Sequence, residues 1–156
     1  MDNMQETIWD NPRFRNWVAV ARACQAVDRT LSQALSGLEL KTAHLDMMMN
    51  IHRHPGMSQQ ELANKLLVGR SNITMLLPQM EKRELARRVP DKKDKRVLRL
   101  YLTEKGEALL QEALKIHLAL VERIMAETPE YECDVVGAAM NRVVAALSAD
   151  DREFPE

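Results

Sequence analysis

The sequence predicts a mostly α-helical chain with one small β-hairpin: a winged helix-turn-helix flanked by long terminal helices. Three features of its middle third support this fold class. A helix-capping pattern begins at Ser58, and an amphipathic helical stripe follows over residues 71–80. Alternating apolar and polar residues then run from Val97 to Leu102. Helix, helix and hairpin in this order are typical of a winged helix-turn-helix.

The first predicted helix precedes this unit. Residues 1–9 are polar and lack periodicity, so a loose arm is expected there. Asp10 is expected to cap the helix, with Pro12 in its first turn. An apolar stripe with helical spacing then reaches Gly37, and Cys24 within it is expected to be a buried, inert thiol. The stripe consists of Phe14, Trp17, Val18, Ala21, Cys24, Val27, Leu31 and Leu35.

The second predicted helix runs from Lys41 to Arg53 and is stopped by His54-Pro55-Gly56. Its expected inward side consists of Leu45, Met48, Met49 and His52. The methionines at 47–49 suit an irregular core, because the unbranched thioether side chain packs into uneven gaps. A soft pocket wall is the alternative interpretation of these methionines.

Two short helices then form the predicted helix-turn-helix. Ser58 begins the first, and Glu61 three residues later completes a capping box. Leu62 and Leu66 are expected to face the core, and residues 68–69 are expected to make the turn. The inward stripe of the second helix consists of Ile73, Leu76, Leu77 and Met80.

The opposite face of that second helix carries short and mostly uncharged side chains. They are Ser71, Asn72, Thr74, Met75 and Gln79. Hydroxyl and amide groups suit hydrogen bonding to base edges in a major groove, so the pattern predicts a double-stranded DNA partner. Pro78 interrupts the helix interior and is expected to kink the helix near Thr74.

The predicted hairpin has strands over residues 86–90 and 97–102, and Asp91 is expected to start its turn. The basic tip consists of Lys92, Lys93, Lys95 and Arg96. Residues 81–99 contain nine Lys or Arg against four Asp or Glu, a net of +5, whereas residues 104–156 contain five against twelve, a net of −7. A basic hairpin on a chain of formal charge −1 favours site-directed DNA binding over general coating of nucleic acid.

Two further helices follow the hairpin. Thr103 is expected to cap a helix that extends to about Glu127, and Thr128-Pro129 separates it from a last helix over about Tyr131 to Leu147. Their apolar stripes are wider than one small core face uses, so they predict an intertwined two-fold homodimer together with the first helix. The predicted domains are a DNA-binding domain over 38–103 and a dimerisation region formed by 10–37 with 104–148.

The sequence gives little support to other function classes. It lacks a nucleophile elbow, a P-loop and a dinucleotide fingerprint, so no catalytic residue, enzyme activity or cofactor is expected. Its histidines and two cysteines lack zinc-site spacing, so no metal is expected. No apolar run reaches the roughly 18–20 residues of a membrane span and no signal peptide opens the chain, so a cytoplasmic location without membrane contact is expected.

An ordered series of short motifs spans the middle third. The motifs are Pro55-Gly56-Met57-Ser58-Gln59, Glu61-Leu62-Ala63, Ser71-Asn72-Ile73-Thr74, Glu81-Lys82-Arg83, Asp91, Asp94, Arg96, and Leu102-Thr103-Glu104 with Gly106. Together they resemble the MarR family, whose members are dimeric bacterial transcription regulators, usually repressors released by small aromatic or oxidising ligands. Glu84 departs from the family, which commonly has Gly there. Met75 and Pro78 stand where relatives often have Arg and Asp.

The resemblance implies that two elements contact DNA. They are the second helix of the helix-turn-helix, called the recognition helix, and the hairpin, called the wing. The expected contacts are Arg70, Ser71, Asn72, Thr74, Met75, Gln79, Lys92, Lys93, Lys95 and Arg96. Arg96 is expected to enter the minor groove, with Asp94 holding it through a charge-assisted hydrogen bond. An inverted repeat is the expected site for a homodimer of this kind.

Relatives bind effectors in a crevice between the first, second and fifth helices. Trp17, His44 and Met48 are the candidate lining residues, and a small aromatic or phenolic effector is expected. Two alternatives to a ligand-responsive repressor are a dimeric helical adaptor that binds a protein partner and a regulator that senses oxidants through Cys24.

Overall fold

The computed structural model describes residues 8–66 and 71–150, with the main chain alone for residues 71, 72 and 148–150. Its helices are α1 (Pro12–Ala34), α2 (Thr42–Arg53), α3 (Gln59–Lys65), α4 (Ser71–Lys82), α5 (Glu104–Met125) and α6 (Glu130–Asp150). Strands β1 (Ala86–Pro90) and β2 (Leu98–Leu102) form an antiparallel hairpin. The described chain divides into two compact units, one ending at His117 and the other beginning at Leu118.

Helix α1 is capped by Asn11, so the predicted Asp10 cap is wrong. The Asn11 carboxamide oxygen accepts hydrogen bonds from the main-chain N–H groups of Arg13 at 2.9 Å and Phe14 at 3.3 Å. Pro12 at the first helical position makes Asn11 the residue whose side chain reaches the free N–H groups. Residues 8–10 are helical rather than a loose arm, and residues 1–7 lie outside the described chain.

The apolar stripe of α1 is buried at its C-terminal end, where Leu31 and Leu35 are 7% and 0% exposed. Nearer its N-terminus, Phe14 and Trp17 are exposed. Cys24 is exposed as well, so its predicted burial is wrong. The stripe continues beyond the part of α1 that the core of one chain covers, which helical periodicity alone does not reveal.

Helix α2 supplies much of the core of the first unit. Leu45 and Met48 are buried as predicted, and Met47 and Ile51 are buried as well, so the helix is covered on two sides. His52 is exposed, contrary to prediction. Its Nδ1 atom lies 2.7 Å from a carboxylate oxygen of Glu107 in α5, a polar partner that lies outside the core.

Most of the features predicted for the helix-turn-helix are present in the structure. The Ser58 hydroxyl accepts from the Glu61 N–H at 3.1 Å, and the Glu61 carboxylate accepts from the Ser58 N–H at 2.6 Å, which completes the capping box. Leu62 is fully buried, whereas Leu66 is half-buried. The expected turn at 68–69 lies outside the described residues.

In α4, the four residues of the predicted inward stripe are at most 4% exposed. The helix continues without interruption through Pro78, which is exposed. A kink at this position stays a prediction.

The hairpin pairs Ala86 with Leu102 and Pro90 with Leu98. Its second strand begins one residue later than predicted, because the Val97 N–H donates to the Asp94 carbonyl within the turn at 2.9 Å. Of the alternating leucines of β2, Leu100 is fully buried, whereas Leu98 and Leu102 are half-buried. On the other edge of β2, the Leu100 N–H donates to the Met57 carbonyl at 2.9 Å, which fixes the wing to the start of the helix-turn-helix.

The end of α4 adopts a left-handed cap although it lacks glycine. Glu84 has φ +59°, the Leu85 N–H donates to the Met80 carbonyl, and the Glu84 N–H donates to the Glu81 carbonyl. These two bonds form a Schellman motif, in which glycine is the usual left-handed residue because a Cβ is strained there.

Replacing Glu84 with Gly is therefore expected to stabilise the protein by about 0.5–1 kcal/mol, because relief of the strain exceeds the extra chain entropy of the unfolded state. The weak contact of Glu84 with Lys105, at 3.8 Å on the surface, contributes little. Urea unfolding measures the change. The matched control Glu112→Gly, inside α5, is expected to destabilise by about 1 kcal/mol. Equal destabilisation by both variants would contradict strain at Glu84.

Candidate nucleic-acid interface

The outward face of α4 presents three of the predicted DNA contacts. Thr74, Met75 and Gln79 are exposed, and Met75 is 64% exposed. Ser71 and Asn72 lie in the first turn of the helix, and the positions of their side chains are not described. Arg70 lies outside the described residues. The opposite face is packed in the core, so the outward side chains are available to a ligand.

Gln79 also has an internal partner, which sequence reasoning missed. Its side chain interacts with His44 of α2, and the Nδ1 atom of His44 accepts from the Lys41 N–H at 3.1 Å. Burial lowers the pKa of His44, the charges of Arg83 and Lys41 lower it further, and the interaction with Gln79 opposes them. Because Nδ1 accepts a main-chain hydrogen bond, the proton of the uncharged ring lies on its other nitrogen.

Arg83 fixes the last turn of α4 to the connection between α1 and α2. Its guanidinium donates to the Glu39 carbonyl at 2.7 Å and to the Leu38 carbonyl at 3.1 Å. Arg83 is one of the nine Lys and Arg residues counted in residues 81–99, the wing region. The structure gives it an internal role, which no local pattern indicates because its acceptors lie more than forty residues away.

Asp91 organises the wing turn, as predicted. One of its oxygens accepts from the N–H groups of Lys93 at 2.8 Å and Asp94 at 3.1 Å, and the other accepts from Nε of Arg99 at 2.9 Å. The two main-chain N–H groups, followed by Arg99, lower the pKa of Asp91 to about 2. Arg99 also lies 3.6 Å from the Glu61 carboxylate, so it links the wing to the capping box of α3.

The tip cations Lys92, Lys93, Lys95 and Arg96 are all exposed, and the Arg96 side chain is 95% exposed. The expected hydrogen bond from Arg96 to Asp94 is replaced by a different contact. The Asp94 carboxylate accepts from the main-chain N–H of Arg96 at 3.0 Å, and the Arg96 Nε atom lies 3.6 Å away. A carboxylate two residues before an N–H closes a tight turn, so Asp94 shapes the tip more than it orients the guanidinium.

Other arginines of the wing region are paired within the fold. Arg88 of β1 binds the Glu81 carboxylate of α4 through two contacts of 2.7 Å. Arg87 lies over the ring of Tyr101, with 5.2 Å between the guanidinium carbon and the ring centroid. The exposed positive charge of the described wing is therefore concentrated at its tip, on the three lysines and on Arg96, whose only ion pair is the 3.6 Å contact with Asp94.

Replacing Arg99 with Met is expected to raise the pKa of Asp91 from about 2 toward its ordinary value of 3.8, but only part of the way, because the stronger main-chain hydrogen bonds remain. Ionised Asp91 stabilises the fold above its unfolded-state pKa, and this contribution is lost as the pH falls through about 2. An NMR titration of the Asp91 carboxyl carbon measures the shift. The control Arg96→Met is expected to leave it unchanged, and a complete return to 3.8 in Arg99→Met would contradict the dominance of the main-chain groups.

The three candidate ligand-binding residues are not gathered at one pocket. His44 and Met48 are buried in the core, and Trp17 is 50% exposed on α1. A cavity of about 180 Å³ does lie between α1, α2 and α5, lined by other residues that include Leu31, Met49 and His117. This cavity lies between the same three helices as the expected crevice, but none of the three named residues lines it.

Within residues 8–66 and 71–150, no three His, Cys, Asp or Glu side chains are arranged to hold a metal ion. No helix in these ranges is long and apolar enough to cross a lipid bilayer.

Comparison with known proteins agrees with this architecture. A profile of the MarR family matches residues 40–98. An uncharacterised HTH-type transcriptional regulator from Bacillus cereus is 32% identical over 103 residues, which cover 66% of this chain and 68% of the relative.

Two solved structures have a similar fold. The transcriptional repressor CouR, bound to a 23-mer DNA duplex, has a TM-score of 0.78 at 22% identity, over 92% of this chain and 99% of CouR. The organohalide-sensing regulator RdhR, in its 2,4-dichlorophenol-bound form, has a TM-score of 0.77 at 19% identity, over 92% of this chain and 84% of RdhR. With the capped helix-turn-helix, the wing and these matches in agreement, the chain belongs to the MarR family of winged helix-turn-helix transcription regulators.

Proposed function

We propose that the chain is a ligand-responsive repressor that binds an inverted repeat in double-stranded DNA as a homodimer. The observation that carries this proposal is the pairing, within the first unit, of an uncharged outward face on α4 with a wing tip of four exposed cations. The helix face suits base edges in the major groove, whereas the tip suits phosphates and the adjacent minor groove. This function requires no catalytic group or cofactor, and we place it in the cytoplasm, where bacterial DNA is found.

The charge distribution supports specific rather than general DNA binding. The formal net charge is −1, so most of the molecular surface does not attract phosphates. Arg88 and Arg99 are neutralised by Glu81 and Asp91, which leaves the attraction to the exposed tip. A localised positive patch orients the protein on the duplex, and the uncharged helix face then selects the sequence.

The exposed apolar residues of the terminal helices support a homodimer. In the first unit they are Ile8, Trp9, Phe14 and Trp17. In the second unit they are Leu118, Val121, Ile124, Tyr131, Val135, Val136, Val144 and Leu147. Apolar surface of this extent is unusual in a monomer and is covered when a second copy packs against it. We therefore keep the predicted division into a DNA-binding domain over 38–103 and a dimerisation region over 10–37 with 104–148.

Enrichment of duplexes from a random-sequence pool, followed by sedimentation of the complex, tests this function. We expect the enriched duplexes to contain an inverted repeat and to carry two chains each. A monomer at micromolar concentration, or enriched sequences without dyad symmetry, would contradict the proposed dimer. Repeating the sedimentation of the complex after peroxide treatment tests the alternative of redox control through the exposed Cys24.

A phenolic effector is supported by the cavity between α1, α2 and α5 and by the bound 2,4-dichlorophenol of RdhR. Such a ligand must bind the free and DNA-bound conformations unequally, because equal affinity shifts no equilibrium. Phenolic compounds that bind the protein, as measured by calorimetry, and also release DNA are expected from a screen. Compounds that bind without changing DNA affinity would remove this cavity from the regulatory mechanism.

A further inference from the structure

The first ten residues of α4, which precede Glu81 and Lys82, lack the side chains that read G·C pairs most directly. Residues 71–80 contain no Lys, Arg, Asp or Glu. In the major groove, guanine is read chiefly by Arg or Lys and cytosine by Asp or Glu, whereas adenine is read by Asn or Gln. Thymine carries a C5-methyl group, which is recognised by apolar contact. The composition of the helix therefore matches A·T pairs.

Met75 supplies an apolar contact at the centre of the outward face. It is 64% exposed, and among the described residues from 36 to 117 it is the one large apolar side chain that is exposed. The core does not require an apolar side chain at this position, since the inward face of α4 is complete with Ile73, Leu77 and their neighbours. Met75 is thus an exposed apolar residue that the core of this chain does not cover.

Pro78 extends the apolar surface of Met75. It is exposed and follows Met75 by three residues, a spacing that makes side chains neighbours on a helix. Gln79, on the other side of this surface, interacts with the buried His44 of α2, so it also has a neighbour inside the protein. Met75 and Pro78 therefore form the part of the described helix face that is exposed and apolar.

We propose that Met75, flanked by Pro78, reads the C5-methyl group of a thymine and so directs α4 to A·T pairs in each half-site. This inference rests on the proposed DNA-binding function. A single exposed methionine is common on protein surfaces and needs no partner by itself. In the proposed complex, Met75 lies on the side of α4 that faces the groove, within residues 71–80, which carry no charged side chain. This position provides the thymine methyl group as its partner. The unbranched thioether adapts its shape to a methyl group more readily than a branched side chain does.

Replacing thymine with deoxyuridine removes the methyl group and leaves all Watson–Crick pairing unchanged. The probe is a duplex enriched from a random pool by the wild-type protein, with each thymine of both half-sites replaced in turn. We expect one thymine position in the half-site to be sensitive. Affinity is expected to fall about fourfold when the methyl group is lost there in one half-site, and about fifteenfold when it is lost in both. Deoxyuridine outside the protected sequence is the DNA control and is expected to have no effect.

Two variants assign the effect to Met75. Met75→Leu retains an apolar side chain and is expected to retain the discrimination between thymine and deoxyuridine. Met75→Gln has similar length and helix propensity but is expected to bind both duplexes equally. Both variants are expected to keep the wild-type melting temperature, because the side chain is exposed.

The outcomes separate this inference from the proposed function. If the wild-type protein enriches no duplex, the DNA-binding function is wrong. If it binds an enriched duplex but no thymine replacement changes affinity, or if Met75→Gln keeps the discrimination, DNA binding stands and methyl reading by Met75 is wrong.

Discussion

Gly106→Ala is expected to destabilise the protein by roughly 3 kcal/mol or more, the upper range for inserting a group into a closed contact. A Cβ at this position would overlap the Leu85 carbonyl oxygen and would lie 2.9 Å from the carbonyl carbon. Both atoms belong to main chain held by the cap of α4, since the Leu85 N–H donates to Met80 and the Leu85 carbonyl accepts from the Thr103 N–H. Neither side of the contact can move without breaking these bonds.

The same substitution elsewhere in a helix provides the control. Gly137 lies in α6, and a Cβ there meets no atom within 4 Å. Gly137→Ala is therefore expected to stabilise by about 0.5–1 kcal/mol through helix propensity. Urea unfolding of both variants measures the difference. Wild-type stability in Gly106→Ala would contradict the close approach of α5 to the end of α4.

Arg96→Ala is expected to weaken DNA binding by about 1–3 kcal/mol without changing stability. Its side chain is 95% exposed and makes only a 3.6 Å contact with Asp94, so folding does not depend on it. A guanidinium inserted in a narrow minor groove meets concentrated negative potential. The slope of log affinity against log salt should decrease by about one for each lost contact in each subunit. Fluorescence anisotropy over a range of salt concentrations measures both quantities.

Related variants separate the contact from other effects. Arg53→Ala removes an exposed arginine at the end of α2 and is expected to leave the salt slope unchanged. Arg96→Lys should restore binding only in part, because the ammonium lacks the planar fork of donors. Asp94→Asn should bind nearly as well as wild type, since an amide oxygen still accepts the Arg96 N–H, whereas Asp94→Ala should bind less well. Unchanged affinity in Arg96→Ala would remove the wing tip from the mechanism.

Features that depend on local spacing were predictable from the sequence. The Ser58–Glu61 capping box, the inward stripe of α4 and the Asp91 turn each require only residues two to eight positions apart. Periodicity and turn chemistry determine these features directly, and the structure confirms them. The same patterns identified the helix face and wing tip that form the candidate interface.

Features that depend on distant neighbours were not predictable. Whether Cys24 is buried depends on what covers α1, and periodicity does not say whether the cover comes from the same chain. His52 has an apolar-face position but finds Glu107 fifty-five residues later. Arg83 was counted as a cation of the wing region, yet its guanidinium donates to the main-chain carbonyls of Leu38 and Glu39, more than forty residues away. Charge counting overestimates the positive surface because it cannot detect such pairs.

Hydroxyl-radical footprinting of the protein on its enriched duplex tests the central claim most directly, because one experiment reports symmetry, spacing and the role of the wing. We expect two equivalent protected half-sites about 10–10.5 bp apart, as a two-fold dimer with one recognition helix per chain requires. Minor-groove protection beside each half-site should disappear with Arg96→Ala while the central protection persists. A single asymmetric footprint, or wing-independent protection throughout, would contradict a homodimer that reads DNA with α4 and the wing.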